Sequence, residues 1–216
     1  MKKIIAILCL LLISGWTWQT HENIAEQALS SLNISDKINF TELKRGARAP
    51  DEIFKDFVNH HYPESYYKAD QWISFSKGHF LNGDYNNASY GFGVASHYIT
   101  DSFSAPHSVS YESQELHSQF ENQAKYYTPK TACLKEDYDL FFDLDVRENG
   151  KRDWELWMIT KNRKIPEKEV DASLKLLYNV AIDVFNTSCK NELLEKSNLF
   201  NYNPFKMLFN VLLGLF

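Results

Sequence analysis

The sequence predicts an all-α, single-domain multi-helix bundle. Apolar residues recur at helical spacing over most of the chain, and few segments alternate with period two. One stretch, 87–103, carries small residues (Ala88, Gly91, Gly93, Ala95) that suit a central helix with others packed closely around it. The 216 residues, 44% hydrophobic and 15% aromatic, suffice for one sizeable core. With 24% charged residues, 8 Gly and 6 Pro, the chain is neither disordered nor collagenous. A mean hydropathy of −0.41 excludes a polytopic membrane protein. The balance of 23 basic to 28 acidic residues, with no Lys/Arg-rich block, excludes an electrostatic duplex-nucleic-acid binder.

The elements follow in order. Lys2 and Lys3 precede an apolar run over 4–13 and the small pair Ser14-Gly15, the layout of a signal peptide over 1–15. The other reading is an uncleaved N-terminal anchor, although the run is short for a bilayer. Cleavage after Gly15 would expose Trp16 and move the formal charge from −5 to −7, because only Lys2 and Lys3 leave. Thr20 can cap a helix beginning at His21, with Ile24, Ala25, Ala28, Leu29 and Leu32 on one face. Between Pro50 and Pro63 a helical stretch is expected over 52–58. A helix rich in aromatics is expected over 65–81, broken by Asn82-Gly83-Asp84. The small-residue helix 87–103 ends before Pro106, and another helix is expected over 110–127. A long loop with a short helix should occupy 128–150, followed by a helix over 154–162 and an amphipathic helix over 167–186. Cys133 and Cys189 can pair outside the cytosol or stay as two buried thiols. Asn33, Asn87 and Asn186 fit the N-glycosylation pattern. The tail after Asn203-Pro204, residues 204–216, is apolar but too short to span a membrane; it can lie in a lipid interface or pack on the core.

The chemistry concentrates between residues 97 and 121. His97 and Asp101 are four apart, so both side chains leave one helix face; His117 and Glu121 repeat the device, and His107 lies between. The whole chain has only seven histidines, so three of them in this stretch is a concentration. Imidazole and carboxylate are donors that zinc favours. Asp51, the His60-His61 pair and His21 add further donors, and an α-amino group at a processed Trp16 would add another. His79 reads as ordinary packing or surface.

This order of residues, from Trp16 to Glu121, resembles the zinc-dependent phospholipase C family and the related secreted nucleases that cut single-stranded nucleic acid. The resemblance implies three zinc ions. One is held by Asp51, His60, His97 and Asp101; a second by Trp16, His21 and a bridging Asp101; the third by His107, His117 and Glu121. His60 is preferred to His61 because Tyr62, two residues on, matches a family aromatic. Asp51 is implied as the catalytic residue that orients water or accepts its proton. Phe57 and Glu52 fall at substrate-binding positions, although the family's choline pocket has tyrosine where Glu52 stands. Glu121 as the last ligand resembles the phospholipase branch, whereas the short Trp16-to-His21 spacing resembles the nucleases.

The expected activity is therefore that of a secreted zinc-dependent phosphodiesterase, foremost a phospholipase C acting at a phospholipid or membrane surface. A single-strand-specific nuclease and a non-catalytic zinc-stabilised surface domain are the alternatives. No obligate protein partner is evident.

Overall fold

The computed structural model describes residues 18–135 and 145–190. The signal segment, Trp16 and the tail 204–216 lie outside the described residues. Among those described, the regular structure is helical: α1 (Trp18–Ser30), α2 (Phe40–Ala49), α3 (Glu64–Leu81), α4 (Tyr85–Phe103), α5 (Gln114–Asn122), α6 (Asp145–Thr160) and α7 (Lys164–Phe185). A π-turn (Pro50–Phe54) follows α2, and a 3-10 turn (Ala105–Ser108) follows α4.

The expected central helix is α4, whose residues from Gly91 to Asp101 are all buried. The Asp84 side chain accepts from the Asn87 N–H at its start, after Gly83 turns the chain at φ 77°. Small residues let α2 come against it. A Cβ on Gly46 would collide with the carbonyl oxygen of Tyr90, and one on Gly93 with that of Leu43. Around this contact Leu29, Leu43, Phe92, Leu174, Leu177 and Phe185 form the main core. Phe120, Trp154 and Trp157 form a second cluster under α5 and α6.

Five expectations need correction. Thr20 does not cap a helix beginning at His21 but lies inside α1. Of the helical stretch expected over 52–58 only 52–54 is helical, within the π-turn, and α2, which is not among the expected elements, precedes it: Gly46, which argues against a helix interior in sequence, is there because the α4 backbone occupies the space of its side chain. The helix expected over 110–127 is only α5, because Ser113 caps it late by accepting from the Leu116 N–H. The helix expected from 154 begins at Asp145, where its polar first half brings Gly150 against Ser108. The helix expected from 167 already begins at Lys164, and Asn186, at φ 47°, ends it. Cys133 and Cys189 form a disulfide with Cα atoms 5.7 Å apart, which ties the 128–135 segment to the end of α7. No helix of the described residues is long and apolar enough to cross a membrane.

Candidate metal centre

Six different pieces of the chain deliver the expected donors to one place. His21 comes from α1, Asp51 from the π-turn, His60 from the loop after it, and His97 and Asp101 from one face of α4. His107 comes from the 3-10 turn, and His117 and Glu121 from one face of α5. The π-turn re-aims the chain at Asp51, a use such irregular turns often serve at functional sites.

Asp101 sits at the middle. Its Oδ2 lies 2.6 Å from His60 Nδ1 and 3.1 Å from His97 Nε2; its Oδ1 lies 3.4 Å from His21 Nε2 and 3.8 Å from His107 Nε2. Asp51 Oδ1 is 3.7 Å from both His60 Nε2 and His97 Nε2. Glu121 Oε1 is 3.0 Å from His117 Nε2 and 3.7 Å from His107 Nε2. Four groups of three donors could each hold an ion: His21-His97-Asp101, Asp51-His60-His97, His60-Asp101-His107 and His107-His117-Glu121. The sets are continuous rather than separate, since His97, His60, Asp101 and His107 each belong to two of them.

Backbone and hydroxyl partners orient the rings. His97 Nδ1 is 2.8 Å from the carbonyl oxygen of Ala47; a carbonyl only accepts, so Nδ1 carries the proton and Nε2 faces the acids. Thr100 Oγ1 lies within donating distance of the Ser96 and His97 carbonyls, which leaves it to accept from His21 Nδ1 at 2.7 Å. That frees His21 Nε2 toward Asp101. His61 Nδ1 donates to the His107 carbonyl at 2.8 Å, so His61 supports the turn that carries His107 while His60 faces Asp51 and Asp101. Partners of this kind fix tautomer and direction in metal sites.

These residues fit a metal. His21 Nε2, His60 Nε2, His97 Nε2, both ring nitrogens of His107, Asp101 Oδ2 and Glu121 Oε2 are buried with no properly angled hydrogen-bond partner. Buried polar atoms left so are costly, and a shared cation satisfies them together. Burial, then the charge of His97, holds His21 well below its usual value; burial, opposed by Asp101, also holds His107 low. Both rings are thus neutral, as a ligand must be. Burial would push Asp101 up, but His97 and the other rings around it hold it well below the usual range. Burial pushes Asp51 and Glu121 up.

His21, Asp51, His60, Asp101, His107 and His117 border a cavity of about 160 Å³ whose wall also includes Phe57, Glu112 and Gln114. Phe57 thus stands at the site, whereas Glu52 turns to Arg48, 3.7 Å away. His79 pairs with Asp84 at 2.9 Å, away from the cluster. Sequence reasoning missed Glu112, 3.8 Å from His117 Nδ1, and Glu169 of α7, whose Oε2 accepts from the Ala105 N–H at the start of the His107 turn. Only the late start of α5 could have pointed to Glu112; nothing local marks Glu169, an ordinary amphipathic-helix glutamate in sequence.

No curated protein matches the chain. Residues 20–181, about three quarters of its length, match the family model described as zinc dependent phospholipase C. An all-helical fold, a buried cluster of imidazoles and carboxylates around Asp101 and this match together show that the chain belongs to the zinc-dependent phospholipase C family.

Proposed function

We propose that the protein hydrolyses phospholipids to diacylglycerol and a phosphorylated head group, with three zinc ions held by the donors described above and by the amino end of Trp16. The observation that carries this reading is the continuous donor set around Asp101, with unpaired buried atoms bordering a cavity. A purely structural zinc site closes four protein ligands around the ion, whereas a catalytic one keeps a position open. Glu121 as the last donor favours the phospholipase branch over the nuclease branch.

When bound, zinc brings the pKa of a coordinated water down to about 7 and sets positive charge beside the phosphate. The chain's own part is positional. His97 and His21, oriented by Ala47 and Thr100, turn their Nε2 atoms toward Asp101. Asp101, central to four rings, balances their charge and bridges two of the sets. Asp51, at the cavity wall and raised by burial, takes the proton of the attacking water. Water oxygen then bonds to phosphorus in line, the bond to the glycerol oxygen breaks, and the proton held by Asp51 passes to that oxygen as it leaves. Phe57 packs the side of the entering head group. Export from the cytosol is part of the proposal, supported by the N-terminal apolar run and by the Cys133–Cys189 disulfide.

The test is a side-by-side assay of the processed protein on phosphatidylcholine, phosphatidylethanolamine, phosphatidylinositol and single-stranded DNA, with and without chelator. Chelator-sensitive release of diacylglycerol is expected. Cleavage of DNA alone would transfer the site to the nuclease reading, and no turnover of any substrate by zinc-loaded protein would favour a structural role.

A further inference from the structure

Between Asp51 and His60 the chain exposes an unusual run of apolar side chains. Ile53 is 50% exposed, Phe54 39%, Phe57 55% and Val58 77%. Apolar side chains scattered singly on a surface need no explanation, but a contiguous group marks a contact site. This run does not dangle. The Asp56 N–H donates to the Pro50 carbonyl at 3.0 Å, and the Asp56 carboxylate accepts from Asn59 Nδ2 at 2.7 Å and from the Tyr98 hydroxyl at 2.7 Å. The Phe54 ring lies along Trp72, with centroids 5.6 Å apart. The segment is therefore pinned to α3 and α4, with Phe54 packed on Trp72, while Ile53, Phe57 and Val58 stay at least half exposed.

Three observations say what covers it. Phe57 belongs both to this run and to the wall of the metal cavity, so the two are continuous. The cavity, about 160 Å³, is smaller than the roughly 300–1,000 Å³ of pockets that engulf a drug-sized ligand, and is too small to take acyl chains. Lys55 is exposed at the centre of the run, and Lys68, ion-paired to Asp56 at 3.9 Å, lies beside it, so cations accompany the apolar side chains on a chain that is acidic overall. Apolar side chains interleaved with lysine, next to a cavity that takes only the polar end of its substrate, fit the boundary between lipid head groups and acyl chains.

We propose that residues 53–58 form an interfacial docking loop that inserts into a phospholipid bilayer and holds the metal cavity over the head groups. This rests on the phospholipase reading for its purpose, but its test does not depend on turnover. Zinc-loaded protein carrying Asp51→Asn, to spare the lipid, is floated with vesicles of phosphatidylcholine containing a minor share of phosphatidylserine. Ile53→Ser with Val58→Ser should weaken vesicle binding about tenfold or more, because two apolar side chains no longer leave water. Ile53→Ala with Val58→Ala, a milder change, should fall between. Leu81→Ser, equally exposed at 73% but at the far end of α3, should bind as the parent does.

Equal binding by the Ser double variant and the parent would overturn the proposal. So would a self-associated parent that the double variant makes monomeric with vesicle binding unchanged, since the loop would then pair copies of the chain. Loop-dependent vesicle binding by a wild-type protein that turns over no lipid would refute the phospholipase reading and leave the docking loop standing.

Discussion

His97 donates its Nδ1 proton to the carbonyl oxygen of Ala47, 2.8 Å away on α2, and this bond spans the closest approach of two helices. The metal-facing nitrogen of His97 is therefore set by how near α2 lies to α4, and that distance is set by Gly46 and Gly93. Gly46→Ala is expected to force the helices apart, because its Cβ meets backbone rather than a movable side chain. Overpacking of this kind costs about 1–3 kcal/mol. Thermal unfolding should report that loss. Zinc titration should show weaker uptake, because Ala47 and the adjoining Asp51 turn move together. Unchanged zinc affinity in a destabilised variant would separate the packing from the site.

That contact also shows what the sequence could and could not display. The pairs His97 with Asp101 and His117 with Glu121 were legible because a helix places residues four apart on one face, whatever surrounds it. The small residues of α4 likewise announced close packing. Gly46 did not announce α2, since its advantage exists only against a helix more than 40 residues away. Glu169 and the Tyr98–Asp56 bond were hidden for the same reason: each role depends on a partner distant in sequence. Asp51 was legible only as a member of a motif, while the π-turn that carries it was not.

Tyr98→Phe should make the protein less stable near neutral pH by about 1 kcal/mol, a modest value because the Asp56 carboxylate still touches solvent. Burial works to raise the Asp56 pKa, but the bonds from Tyr98 and Asn59, with Lys68 nearby, bring it below the usual value. A carboxylate lowered on folding contributes stability above its unfolded pKa of about 3.9, and that contribution is lost as pH falls through the folded value. The difference between wild type and variant should therefore shrink in acid. Urea melts of both proteins at neutral pH and at the acid end check it; a constant difference would show that Asp56 is not the partner that matters.

The disulfide closes a loop across a sequence separation of 56 residues. Chain-entropy arithmetic for a loop of that length gives about 4 kcal/mol. Cys133→Ser with Cys189→Ser should lower stability by about 2–4 kcal/mol, with the buried Cys189 adding the cost of a hydroxyl in an apolar setting. Zinc binding should persist in whatever fraction stays folded, since neither sulfur is near the donors. A melt under oxidising and reducing conditions compares wild type with the double variant; reductant should affect only the former.

Asp51→Asn separates chemistry from metal holding. The amide keeps the shape of the side chain and a weak oxygen donor but cannot accept a proton as a carboxylate does. His60, His97 and Asp101 remain around the same position, so bound zinc measured by elemental analysis should fall little. Hydrolysis should fall about 100-fold or more, the usual contribution of a general base. The effect should lie in kcat rather than KM, because a proton acceptor acts in the transition state and not in holding lipid. Activity within about twofold of wild type at full metal content would remove Asp51 from the proton transfer. A parallel loss of zinc and activity would make it chiefly a ligand.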